Sequence, residues 1–102
     1  MMLRPGFKDG PAWPWIEKDL AASLDYTIDW SGWLAVGETL SGPAQWTVAE
    51  GLTLTSQTDT GTMSTAWLSG GAAGMSYLAT AKITTSAGRT DERSFLVAVM
   101  QR

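Results

Sequence analysis

Asp25 and Asp29 stand four residues apart in the alternating segment Asp25-Tyr26-Thr27-Ile28-Asp29-Trp30, and they are the acids most suggestive of a catalytic carboxylate pair. On a strand they share a face, about 13 Å apart at roughly 3.3 Å per residue. Glycosidase carboxylates sit about 5 to 9.5 Å apart. The pair is too wide for that chemistry and reads as two solvated acids on an outer strand face. Asp25-x-Thr27-x-Asp29 also opens like a calcium loop, but Trp30 and Val36 occupy the positions where an EF-hand needs its Gly and its bidentate Glu. Gly70, Gly71 and Gly74 match neither phosphate-binding pattern: Met75 stands where a P-loop needs Lys, and no base lies nearby. The chain has no His, and it has no Cys. Their absence removes the Ser-His-Asp triad, His- and Cys-ligated metals, disulfides and thiol nucleophiles. No catalytic residue, no metal site and no cofactor is expected.

The unusual feature is six tryptophans, at 13, 15, 30, 33, 46 and 67. Trp30, Trp46 and Trp67 fall inside strand patterns and are expected in the core, where an inter-sheet Trp is common. Trp33 is open to either reading. A carbohydrate-binding sandwich would display such rings as a stacking platform, and that function is carried as an alternative through Trp33 or the N-terminal pair. Trp13 and Trp15 lie in a proline-punctuated stretch, Gly10-Pro11-Ala12-Trp13-Pro14-Trp15-Ile16. Exposed indoles are an aggregation liability unless covered, so they either fold back on the domain or dock on a partner. Trp is enriched among interface anchors, and a proline-stiffened segment loses little entropy on docking. On the docking reading, Trp13, Pro14, Trp15 and Ile16 are the candidate partner-docking residues.

The elements that must position these residues divide near residue 23. Before it, Pro5, Gly6, Gly10, Pro11 and Pro14 interrupt any long element. Residues 1–23 read as an extended arm, with a short helical turn expected over Glu17–Leu24 because acids favour a helix N-terminus. After residue 23 the period is two. Tyr26, Ile28 and Trp30 share one strand face. Further short strands are expected at Trp33–Val36, Gln45–Val48, Leu52–Thr55, Thr62–Leu68, Tyr77–Thr85 and Ser94–Met100, the last two joined by the polar loop Ser86–Asp91 as a hairpin. Thr-, Val- and aromatic-rich strands at this spacing predict an all-β fold, a sandwich of about seven short strands over residues 24–102. Tyr77, just after the glycine-rich turn at 70–74, sits where a tyrosine corner would stand, which points to an immunoglobulin-like sandwich.

The chain of 102 residues is the size of one domain and carries a net charge of −3. From Asp19 to Ala81 it has six acids and no Lys or Arg, and residues 60–81 have no charge at all. A nucleic-acid binder needs a basic footprint, so nucleic acid is not an expected partner. No export signal is expected at Met1-Met2-Leu3-Arg4-Pro5-Gly6, and no apolar stretch approaches the roughly 20 residues of a membrane span. A surface kept polar by Ser and Thr suits a domain packed among neighbours.

Asp25-Tyr26-Thr27-Ile28-Asp29-Trp30-Ser31-Gly32-Trp33-Leu34, Trp46-Thr47-Val48, Trp67-Leu68-Ser69-Gly70-Gly71-Ala72-Ala73-Gly74 and Ile83 to Ser94 together resemble small proteins encoded among the structural genes of tailed bacteriophages. These are immunoglobulin-like virion components, some of them fibre–tail adaptors. The resemblance covers roughly residues 24–102, and its most specific strings are Trp67–Gly71 and Gly88–Ser94. It implies a non-enzymatic virion protein, assembled in the host cytoplasm and present in multiple copies. Its partners would be other structural proteins of the fibre, tail, neck or capsid, with adaptor and capsid-decoration roles both open. Arg89 and Arg93, in the mixed-charge run Arg89-Thr90-Asp91-Glu92-Arg93, are candidate polar contacts to such a partner; the other reading is a solvated hairpin whose charges pair locally.

Overall fold

The two-residue period of the sequence becomes two four-stranded sheets. The computed structural model describes residues 2–3, 13–19 and 21–100. The strands are β1 (Met2–Leu3), β2 (Trp15–Asp19), β3 (Leu24–Asp29), β4 (Gln45–Val48), β5 (Leu52–Asp59), β6 (Met63–Gly70), β7 (Ser76–Thr84) and β8 (Thr90–Met100). One sheet, sheet A, has the order β1-β3-β6-β5; the other, sheet B, has the order β2-β8-β7-β4. Neighbours are antiparallel except β2 and β8, which run parallel with Trp15 beside Leu96 and Asp19 beside Met100. The fold is all-β and sandwich-like, as the alternation predicts.

The core lies between the sheets. Tyr26, Ile28 and Trp30 point in from sheet A with Ala66 and Leu68, against Ala79, Ala81, Ile83, Phe95, Val97 and Val99 from sheet B. Phe95 is the junction: its ring meets Tyr26 at 6.0 Å and Trp46 edge-on at 6.1 Å. Trp46 lies beside Ala81 and Val48 beside Ala79 across the β4–β7 ladder, so large residues neighbour small ones. Each large side chain buried this way contributes roughly 1.5–3 kcal/mol.

Tyr77 closes one end of the sandwich. Its hydroxyl accepts the N–H of Ala72 at 2.8 Å. Its ring lies between two glycines: a Cβ on Gly51 would meet Tyr77 Cε1 at 2.8 Å, and one on Gly71 would meet Val99 Cγ2 at 2.6 Å and Tyr77 Cε2 at 3.1 Å. Both glycines also have positive φ, +105° and +92°, so backbone angle and space each select glycine there.

Three expectations are corrected. Trp67 is not in the core; it is 37% exposed, because β6 turns Ala66 and Leu68 inward and a period of two must then turn Trp67 out. Glu17–Leu24 holds no helical turn where it is described: residues 15–19 pair with β8, and the edge hydrogen bonds of a nearly complete sheet outweigh a weak helical preference. Trp33–Val36 forms no strand; the chain turns there, with the Trp30 carbonyl accepting the N–H groups of both Trp33 and Leu34. β5 runs on past Thr55 to Asp59 through an irregularity between Leu54 and Ser56. Residues 15–19, read from the sequence as part of the arm, run along sheet B, and residues 4–12 of that arm lie outside the described residues.

Candidate docking surfaces

The Trp-Pro-Trp-Ile segment enters sheet B along the outer side of β8. Pro14 has no N–H to give, but its carbonyl accepts the N–H of Leu96 at 2.9 Å, which starts the β2–β8 ladder. Ile16 packs against the core and Trp15 is half-buried, whereas Trp13, just outside the strand, is 42% exposed. The structure thus brings Trp13, Pro14, Trp15 and Ile16 together on one sheet edge and gives them different tasks: Ile16 faces inward, and Trp13 keeps 42% of its surface exposed.

Lys18 follows on the same strand and is completely buried. Its ammonium donates to the carbonyls of Asp19, at 2.9 Å, and Gly70, at 3.0 Å, tying β2 of sheet B to the end of β6 in sheet A. Burial pulls its pKa below the ordinary lysine value, with Asp19 opposing that shift.

Arg89 and Arg93 do not join this edge in one cluster. Arg93 is exposed on β8, opposite Ala81 of β7. Arg89 stands in the β7–β8 turn and is used within the chain. Its Nε donates to Glu38 Oε2 at 2.9 Å and its Nη2 to Glu38 Oε1, while its guanidinium lies 4.2 Å from the centre of the Trp33 ring. Glu38 is buried and saturated with donors: Thr85 Oγ1 reaches Oε2 at 2.5 Å and the Ala35 N–H reaches Oε1 at 2.9 Å. The hydrogen bonds from Arg89 first, then from Thr85 and Ala35, hold its carboxyl down at about 2. Trp33 packs edge-on against the buried Trp30 at 5.8 Å. One face of Trp33 is therefore covered by Arg89.

This clasp orders the long β3–β4 connection, which is also laid along the hairpin by Ser41 N–H to Thr84 O at 2.7 Å and Ser86 N–H to Thr39 O at 2.8 Å. Sequence reading missed Glu38 as the partner of Arg89. Nothing local links residues so far apart, although an isolated acid in a long uncharged loop was a usable signal. It also missed Trp67, for which the parity of Ala66 and Leu68 was the signal. Among the described residues, no group of three or more acids is placed to hold a metal ion. Asp25 and Asp29 lie on the outer face of β3, with Asp29 Oδ1 accepting the Ser31 N–H at 3.0 Å as a turn-former.

No curated protein matches the chain. A family model does match: podophage GP4 fiber-tail adaptor protein gp77, over residues 18–98, from the buried Lys18 to the last core strand. Trp13 to Glu17 lie just outside the match. A match across most of the chain, through both sheets and the Glu38–Arg89 clasp, makes this chain a member of the podophage GP4 fiber-tail adaptor protein gp77 family.

Proposed function

We propose that the chain is a non-enzymatic structural component of a tailed-phage virion, an adaptor that attaches a fibre to a tail or neck component. The observation that carries this reading is the family match over residues 18–98. The architecture supports it as a rigid spacer with the order β1-β3-β6-β5 facing β2-β8-β7-β4 and Tyr77 bonded back to Ala72, features of an immunoglobulin-like domain. Docking runs through the N-terminal edge: Trp13 supplies an exposed indole beside Pro14, Trp15 extends the same apolar strip, and Ile16 holds the strip to the domain. Arg93 offers an exposed cation further along β8, and Arg89 contributes through the loop it holds in shape. The chain is present in several copies per particle, assembled in the host cytoplasm.

The test is quantitative mass spectrometry and cross-linking on particles purified from the phage that encodes the chain. The adaptor reading expects the chain in intact virions, cross-linked to fibre and to tail or neck proteins. Cross-links to the capsid alone would replace it with a decoration role, and absence from purified particles would overturn it.

A further inference from the structure

Among the described residues, the Arg89–Trp33–Glu38 clasp has a counterpart without its cation on the outer face of sheet A. Trp67 projects from β6, 37% exposed, directly opposite Asp25 of β3 and Ser56 of β5. Directly opposed residues on antiparallel strands have Cβ atoms about 4.5–5.5 Å apart, so indole and carboxylate stand side by side on this face. The next opposed pair, Thr27 and Thr65, is uncharged and hydrogen-bonds to itself at 2.9 Å, with Asp29 beyond it on the same face. Asp25 is exposed.

Acids stand on both sheets, with Glu17, Asp19, Asp91 and Glu92 in sheet B, but the described bases do not. The described strands of sheet A contain Asp25, Asp29 and Asp59 and no base, whereas Lys18, Lys82, Arg89 and Arg93 all belong to sheet B or its hairpin. No described cation can therefore do for Trp67 and Asp25 what Arg89 does for Trp33 and Glu38. A guanidinium is weakly hydrated, stacks on indole and pairs with a neighbouring carboxylate.

From this we infer that the outer face of sheet A is a second docking surface, and that its occupant is a protein surface bringing an arginine onto Trp67 and Asp25. The inference rests on the adaptor reading and names the chemistry of one of its partners. An acidic peptide or a phosphate is disfavoured by the sign of the face, and a protein fits the role of an adaptor between other proteins.

Hydroxyl-radical footprinting of the free chain and of intact virions tests it. Labelling of Trp67 should fall several-fold in the particle while Lys82, on the other sheet, keeps its reactivity. Equal labelling of Trp67 in both states, with the chain present in virions, overturns this inference alone; absence of the chain from virions overturns the adaptor reading with it. Asp25→Lys should lower incorporation by about tenfold, the size of effect expected for a charge reversal beside a hot-spot Trp. The Asp25→Lys chain should keep the wild-type circular dichroism spectrum. Normal incorporation of Asp25→Lys would count against the proposal. If Asp25→Lys does not fold, the footprint of the wild-type chain decides. Saturable quenching by a panel of neutral oligosaccharides, present in wild type and lost in Trp67→Phe, would assign the face to a glycan and overturn the protein partner.

Discussion

Arg89 grips Glu38 with two of its nitrogens across 51 residues of sequence, and this ion pair joins the β3–β4 connection to the β7–β8 hairpin. A bidentate guanidinium–carboxylate contact fixes direction as well as distance. Because the Glu38 side chain is only 4% exposed, its carboxylate is shielded from water and depends on the donors around it. The same arginine covers Trp33, so a residue that sequence pattern alone offers to a partner has a demanding internal role.

The clasp makes stability depend on acid in a defined window. The folded value of Glu38, about 2, lies below its ordinary 4.5. Its contribution is thus fully present above the ordinary value and is lost as pH falls through the folded one. Thermal unfolding of wild type and Glu38→Gln, followed by circular dichroism, should show wild type more stable at pH 7. The gap should narrow as pH falls below 4.5 and close near 2. A gap that stays constant down to pH 2 would mean that the carboxylate charge contributes nothing.

The glycines around Tyr77 give a second test, because space and backbone angle can be separated. Gly71 has φ +92° and no room for a Cβ, while Gly74 has φ +84° and nothing within 4 Å. Gly74→Ala should cost only the left-handed backbone penalty, roughly 1–2 kcal/mol. Gly71→Ala must also displace Val99 in the core and should cost at least about 3 kcal/mol. Urea titration of both variants checks the order; equal losses would mean that the core gives way freely around Val99.

Much of this sandwich is legible in the sequence because its strands obey a period of two. Gln45–Val48 falls where it is expected, and Tyr26, Ile28 and Trp30 all turn inward. At Trp67 residue type and parity point opposite ways: a large aromatic looks like core, but its neighbours Ala66 and Leu68 take the inner face. β2 is not legible for a different reason. Glu17-Lys18-Asp19 carries three charges in a row, and only the tertiary fold supplies the Gly70 carbonyl that lets Lys18 be buried. The Glu38–Arg89 pair is likewise a product of topology, since the hairpin reaches the loop only when both sheets have formed.

Ser64 should be a site where removing a polar group stabilises the chain. It is completely buried on the inner face of β6, and its Oγ has no hydrogen-bond partner among the described residues. A buried hydroxyl without a partner costs about 1–3 kcal/mol relative to a satisfied one. Ser64→Ala keeps nearly the same volume and should raise stability by roughly 1 kcal/mol in urea titration. A loss of stability would show that the hydroxyl is satisfied in solution.

The N-terminal edge separates docking from folding within four residues. Ile16 packs against the core and belongs to the β2–β8 ladder, so Ile16→Ala should destabilise the domain by about 1–3 kcal/mol. Trp13 is 42% exposed and lies outside the strand. Trp13→Ala should therefore change stability by no more than about 0.5 kcal/mol, yet lower incorporation into particles, because an exposed indole on a proline-stiffened segment is an anchor that costs little entropy to seat. Unfolding curves and particle mass spectrometry on both variants read the two effects separately. A Trp13→Ala chain that incorporates normally would move the anchor from this edge to the sheets themselves, and one that unfolds readily would make Trp13 part of the domain's own packing.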